Sequence, residues 1–398
     1  MPKVFVTGIG IISAIGFDSQ GAMKSLQEQR TGVGPLSYID TVYSNEIPVA
    51  EIKASNEELF EVARPLNNKF CSRTALLGLI AARQAIEQAG LDKSALDKAA
   101  VISGTTVGGM DRTEVFYKDY LQNKQKGRIR NVAGHDCGDS TEKIADSLGI
   151  HGFLSTINTA CSSSANAIML GARLIKQGRV KHVIAGGADS LTKFTINGFN
   201  SLMILDRAQC KPFDQNRSGL NLGEGSGFLV LESEDVVGNK AILGEVKGFG
   251  NACDAYHQTA SSPEGLGAFL SMHKALEVAK LMPADIDYIN THGTGTKNND
   301  LSEGIAIEKL FGQNIPPCSS TKSYTGHTLG AAGALEAVLS ILAIQHNCIY
   351  PNLNFTEQMS ELHFEPVKEL KSNIRLQYIM SNSFGFGGNN SSLIFSRY

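Results

Sequence analysis

Apolar positions along this chain fall into two kinds of run that take turns. Short unbroken blocks, Val4 to Thr7, Ala99 to Ser103 and His182 to Gly186, have the continuous hydrophobicity of buried strands. Longer blocks, Leu76 to Gln88 and Ser163 to Lys176, read as helices. A second cycle begins near Ile242: a strand over Gly244 to Gly250, a helix Leu266 to Lys280, a strand Ile286 to Thr291, helices Leu301 to Phe311 and Gly330 to Gln345, and a final pair of strands around Tyr378 to Asn382 and Ser392 to Phe395. Such alternation predicts an α/β fold with helices on the faces of a buried sheet. Element order is similar in two halves, residues 1–240 and 241–398, which points to an internal structural duplication. No low-complexity linker separates them, so one closely packed unit is expected rather than two hinged domains. Asp111 to Asp139 is polar, charged and rich in turn formers, and reads as a surface excursion or a subunit contact.

With 42% hydrophobic residues and 41 glycines in 398, the chain can fill such a core and make many tight turns. Its formal charge of -3 and scattered basic residues, without interleaved aromatics, argue against a nucleic-acid partner. Seven cysteines, with no Cys-x-x-Cys pair and no Cys/His ligand spacing, argue against a disulfide framework and a structural zinc site. A reducing compartment fits best. Met1 to Gly8 lacks a cleavage site and reads as a buried strand, and Leu335 to Ile344, interrupted by Glu336, is too short to span a bilayer. A soluble, cytoplasmic protein without membrane contact is expected. Gly8-Ile9-Gly10-Ile11-Ile12-Ser13 looks like a dinucleotide fingerprint, but the third glycine and the later acidic residue are missing, so chain-packing turns explain it.

Candidate chemistry starts at Cys161, in Asn158-Thr159-Ala160-Cys161-Ser162-Ser163-Ser164-Ala165. A strand ends before it and a helix from Ser162 to Gln177 follows, so the macrodipole should favour the thiolate, and the small neighbours leave room for a substrate carbonyl. The other cysteines, Cys71, Cys137, Cys210, Cys253, Cys318 and Cys348, read as small buried hydrophobes. Two histidines stand in glycine-rich settings, His292-Gly293-Thr294-Gly295-Thr296 and Gly326-His327-Thr328. Singly, the first could be a turn residue bonded to backbone and the second the start of a helix. One thiol with two imidazoles suggests covalent acyl transfer.

Together with Ser320-Thr321-Lys322-Ser323-Tyr324-Thr325-Gly326-His327 and Asn382-Ser383-Phe384-Gly385-Phe386-Gly387-Gly388-Asn389-Asn390, these motifs resemble the β-ketoacyl-[acyl-carrier-protein] synthases, in particular the elongating type II class. The resemblance runs from Val4 to Phe395. It implies a thiolase-like fold, two similar βαβαβαββ halves packed as a five-layer α-β-α-β-α sandwich. It also implies decarboxylative Claisen condensation, with Cys161 as acyl carrier and His292 and His327 holding the enolate. Backbone N–H groups of Cys161 and Phe386 would form the oxyanion hole, with Phe386 a gate to the acyl pocket. Phe384, Thr294, Thr296 and Asn389 would meet substrate, and Lys322 and Glu336 match a buried polar pair beside the second histidine. Substrates would arrive on the phosphopantetheine of acyl carrier protein, without metal or redox cofactor. That carrier is acidic, so Arg64, Lys69 and Arg207 are candidates for its docking. A homodimer is implied, or a heterodimer with a related subunit.

Two segments depart from the family pattern. Gly387-Gly388-Asn389-Asn390-Ser391 replaces Gly-Gly-Thr-Asn-Gly, which should alter contacts to thioester or pantetheine. Met110-Asp111-Arg112-Thr113-Glu114-Val115 is charged where the acyl pocket is normally apolar, and Cys137 to Lys143 is likewise polar. Either the pocket suits a shorter or conjugated, polyene-like chain, or those charges face solvent. Two competing readings are a thiolase and a non-catalytic chain-length partner subunit. A thiolase would carry a second cysteine near the C-terminus, and Phe384 to Asn390 has none. Partner subunits generally lack the nucleophile that Cys161 supplies.

Overall fold

The computed structural model describes residues 2–66 and 70–398. Its strands are β1 (Val4–Ser13), β2 (Ala100–Gly104), β3 (Leu154–Ile157), β4 (His182–Asp189), β5 (Gly225–Ser233), β6 (Gly244–Cys253), β7 (Tyr288–Asn290), β8 (Cys318–Ser319), β9 (Cys348–Ile349), β10 (Lys371–Ser372), β11 (Tyr378–Phe384) and β12 (Asn389–Ser396). Among the described residues, β9 and β10 pair with each other, and the rest form one sheet in the order β3-β2-β4-β5-β1-β6-β12-β11-β7-β8. The two halves of that order are the same when each is numbered along its own chain segment. In each, two parallel pairings are followed by two antiparallel ones. The halves meet through β1 and β6, at the pairs Phe5 with Glu245 and Val6 with Gly244.

Helices cover this framework on both sides and between the halves. Arg73–Ala89 and Cys137–Leu148 lie outside the first half-sheet, and Leu266–Ala279 lies outside the second with Lys297–Phe311 beside it. Ser163–Lys176 and Ala332–His346 lie between, each touching strands of both halves, which gives the five layers α-β-α-β-α. Burial on all sides explains why Ala332–His346 shows no amphipathic stripe: every residue from Ala332 to Ile344 is buried. Leu329–His346 is long and apolar enough to cross a bilayer, yet 89% of it is buried in this middle layer, so its apolarity serves the core.

Glycines in β1 set the distance of the outer helix. A β-carbon on Gly10 would stand 1.9 Å from the carbonyl oxygen of Ala81, and one on Gly250, in the equivalent strand β6, 2.1 Å from that of Ser271. The Gly8-Ile9-Gly10 motif is therefore a place of close helix approach inside a strand, not a turn. Gly10→Ala should push the helix outward and destabilise the protein by about 1–3 kcal/mol or more, read as a fall in Tm; an unchanged Tm would contradict the contact.

Asp111 to Asp139 lies largely at the surface and is mostly helical. It holds the helices Met110–Gln122 and Arg130–Ala133 and the start of Cys137–Leu148. No residue of Met110–Gln122 is buried, and the apolar Val115, Tyr117 and Leu121 on it stand exposed. Its charges have structural jobs. Asp111 accepts the Arg73 N–H (3.0 Å), and Glu114 accepts those of Lys193 (3.2 Å) and Phe194 (2.6 Å), at the start of two other helices. These two carboxylates anchor helix starts, and both also line a second cavity with Val115 and Phe194.

Candidate active site

The nucleophile turn joins β3 to the helix Ser163–Lys176. Ala160 adopts φ 52°, a left-handed conformation that costs energy for a residue with a β-carbon. Local hydrogen bonds hold it there: Thr159 N–H donates to Ser163 Oγ (2.9 Å), and Ser163 Oγ donates to the Ala160 carbonyl (2.6 Å). Close packing from below needs Gly104, whose β-carbon would lie 2.4 Å from Ser164 N. The turn thus presents Cys161, 5% exposed, at the mouth of the helix.

Both histidines arrive from the second half. His292 follows β7, and its N–H and that of Gly293 donate to Glu303 at 2.9 and 2.8 Å, so this carboxylate shapes the loop. His327 stands between the short turn Lys322–Thr325 and the central helix, its N–H bonded to the Asn221 carbonyl (2.7 Å). Its Nε2 lies 3.1 Å from Cys161 Sγ. The two rings meet edge-on with centroids 5.3 Å apart. Lys322 forms an ion pair with Glu336, both almost fully buried, and Ser383 Oγ donates to the other Glu336 oxygen (3.4 Å).

Burial, then the nearby Lys322 cation, holds both imidazoles well below the usual histidine range, so both are neutral near pH 7. Burial also pushes the Cys161 thiol up to about 11, against the lowering effects of Lys322 and the N–H groups of Phe386 and Cys161 itself. The macrodipole expectation fails here, because desolvation of a buried sulfur outweighs a helix start. The resting group is a thiol, with a neutral imidazole nitrogen in position to take its proton. Burial raises Glu303 to about 7, opposed by the N–H groups it accepts.

A cavity of about 390 Å³ reaches this cluster, lined by Cys161, His292, His327, Thr294, Thr296, Phe384 and Phe386. Of the expected substrate-facing residues, Asn389 alone is elsewhere: its Oδ1 is bonded behind the nucleophile turn. Phe199, which no sequence motif marks, also lines the cavity and stacks on Phe386 with centroids 5.9 Å apart. Asp300 and Glu303 are further site residues outside the sequence motifs; their spacing of one turn at the start of the helix after the His292 loop is the signal that could have found them. Asp300 accepts the Gly295 N–H (3.1 Å) and so braces the same loop.

Of the docking candidates, Arg64 is exposed at the end of a helix, Arg207 is held by Glu46 (3.2 Å) and Asn200 (3.1 Å), and Lys69 lies outside the described residues. Cys71, Cys210, Cys318 and Cys348 are buried as expected; Cys253 is exposed and Cys137 half-buried. Donor atoms of Cys161, His292 and His327 all lie within 4.8 Å of one another, so a thiophilic ion bound there would occupy the acyl-transfer groups themselves.

Family models of the N-terminal and C-terminal domains of β-ketoacyl synthase match residues 1–236 and 243–356. The chain belongs to the β-ketoacyl synthase family. It is 32% identical to 3-oxoacyl-[acyl-carrier-protein] synthase 2 of Staphylococcus aureus, covering 100% of this chain and 98% of the relative. It is 33% identical to nodulation protein E of Rhizobium meliloti, covering 99% of each. Among solved structures, the ishigamide ketosynthase/chain length factor superposes with TM-score 0.94 at 30% identity, covering 100% of this chain and 99% of that one. The Xenorhabdus doucetiae ketosynthase ApeO, solved in complex with its chain length factor ApeC, gives 0.85 at 33%, covering 100% and 98%. The layered architecture is thus the thiolase-like fold of ketosynthases. This β-ketoacyl synthase is an acyltransferase that forms carbon–carbon bonds, a condensing enzyme of fatty-acid or polyketide synthesis.

Proposed function

We propose that the enzyme condenses an acyl-carrier thioester with malonyl-ACP, giving 3-oxoacyl-ACP, carbon dioxide and free carrier protein. The observation that carries this reading is the Cys161 Sγ to His327 Nε2 distance of 3.1 Å, with His292 on the same cavity. Cys161 attacks the acyl thioester while His327 takes the thiol proton and passes it to the departing carrier thiol. The N–H groups of Cys161 and Phe386 receive the carbonyl oxygen as it becomes an oxyanion. Malonyl thioester then loses carbon dioxide, and neutral His292 donates N–H to the enolate oxygen, joined by His327 once it has passed to its Nε2–H tautomer. The enolate carbon attacks the acyl carbonyl and expels Cys161 as a thiolate, which takes one proton from solvent to restore the resting thiol. Phe386 stands between thiol and acyl pocket as the gate, and Thr294 and Thr296 meet the pantetheine arm. No metal or redox cofactor has a role in these steps.

The partners in this reading are acyl carrier protein and a second subunit. Among the described residues the outer edge of β3 is unpaired in the sheet order, and Phe153 and Leu154 are exposed there, an arrangement that invites strand pairing across a dimer. The ApeO complex with its chain length factor is a precedent for a paired assembly. Cys161 makes this chain a catalytic member of either a homodimer or such a pair.

Incubation with acyl-ACP should add one acyl mass to the peptide containing Cys161, and addition of malonyl-ACP should discharge it as a 3-oxoacyl product; a protein that never takes up acyl would overturn the assignment. A panel of saturated and conjugated acyl-ACPs reads the chain preference. His292→Ala should slow malonyl decarboxylation by about 10²-fold or more while acylating Cys161 much closer to the normal rate. The opposite ordering would move His292 from the decarboxylation step to the acylation step.

A further inference from the structure

Asn389 follows the gate turn Phe386–Gly388 directly and opens β12. Its Oδ1 accepts three hydrogen bonds, from Ser162 Oγ (2.8 Å), Asn166 Nδ2 (2.9 Å) and Asn251 Nδ2 (2.8 Å). Ser162 is the neighbour of the nucleophile, and Asn166 Nδ2 also donates to Thr159 Oγ1 (2.9 Å) on the other side of it. The Asn389 carbonyl accepts the Gly385 N–H (2.9 Å), closing the base of the gate loop. One residue therefore grips the gate loop with its backbone and the nucleophile turn with its side chain. Gly385 presses on the same turn, since a β-carbon there would lie 2.9 Å from the Thr159 carbonyl oxygen and 3.1 Å from Cys161 N.

We propose that Asn389 is a positioning residue for acyl transfer, setting the separation between Cys161 and the Phe386 N–H that meets the developing oxyanion. This rests on the acyl-transfer reading above. Each donor to Asn389 keeps another partner when that oxygen is removed. Ser162 Oγ also reaches the Thr159 carbonyl (2.8 Å), Asn166 reaches Thr159 Oγ1, and Asn251 Nδ2 reaches Asn166 Oδ1 (3.1 Å) and Ser391 Oγ (2.9 Å). Loss of the side chain thus strands no buried donor. What it loses is the tie across the turn. A shift of about 1 Å between reacting groups costs up to about 10²-fold in rate.

The test measures both rate and final extent of Cys161 acylation from acyl-ACP, in wild type, Asn389→Ala and Asn389→Asp. Asn389→Ala should acylate fully but about 10- to 100-fold more slowly at saturating acyl-ACP, with KM for the carrier unchanged. Asn389→Asp keeps an acceptor oxygen in the same place and should recover most of the rate. A wild-type rate in Asn389→Ala overturns the proposal, as does a reduced extent at wild-type rate, which marks only a loss of folded enzyme. Asn389→Asp as slow as Asn389→Ala overturns it too. Failure of the wild type to acylate at all would instead sink the acyl-transfer reading.

Discussion

Cys161→Ala is expected to abolish acyl-enzyme formation and to lower condensation by about 10³-fold or more, because binding and oxyanion contacts alone replace a lost covalent nucleophile poorly. The substitution removes a sulfur from a tight turn whose hydrogen bonds run through Thr159, Ser162 and Ser163, so the turn and the fold should persist. His292 and His327 also remain, along with the Lys322 cation that helps keep them neutral. Malonyl decarboxylation should therefore continue without a condensation partner, releasing carbon dioxide and acetyl-ACP. Mass analysis of the protein and of the carrier products checks both halves. Full condensation by the variant would remove Cys161 from the mechanism, and loss of decarboxylation along with acylation would mean that the two steps share more machinery than the geometry assigns.

The second large effect concerns the buried pair Lys322 and Glu336. Glu336→Ala leaves a buried ammonium without its counter-charge, and should destabilise the protein by about 3–5 kcal/mol. The double variant Lys322→Met with Glu336→Leu removes both charges, and should return near wild-type stability, since two well-packed apolar side chains replace a buried pair at little cost. Its activity should nevertheless change with pH in a defined direction. Burial and then Lys322 hold His292 and His327 below their ordinary 6.5. Without the cation both should titrate closer to 6.5, so the acid limb of malonyl decarboxylation moves to higher pH. The sign for stability agrees. Below pH 6.5 the unfolded chain binds more protons on these histidines than the folded protein, so the wild type loses stability as pH falls, and the double variant loses less over the same window. A pH profile of decarboxylation and Tm measured from about pH 7 to 5 test this; an unmoved acid limb would leave burial alone as the cause.

Much of this protein is legible in its residues one after another. The strands Val4–Ser13 and His182–Asp189 and the helix Ser163–Lys176 announce themselves, because burial on both faces demands unbroken apolar runs and packing on a sheet demands a helical stripe. Cys161, His292 and His327 can be named for a related reason, since they stand in small-residue and glycine-rich settings that form local patterns, whereas Lys322 and Glu336 are reached only through the resemblance to the β-ketoacyl synthases. The tertiary structure decided what depends on summed surroundings or on contacts across the chain. Whether Cys161 rests as thiol or thiolate turns on how many atoms exclude water from it, which its place before a helix does not reveal. Asp111 and Glu114 read as acyl-pocket or solvent-facing charges in the sequence, and only the folded chain brings the N–H groups of Arg73, Lys193 and Phe194 to end on them. Asn389 reads as a substrate contact, but β12 turns its side chain behind Cys161 toward Ser162, Asn166 and Asn251, the nearest of which is 138 positions away along the chain. Local sequence sets what a residue can do; only the packing of two similar halves, meeting through β1 and β6 and sharing their middle helices, decides what it touches.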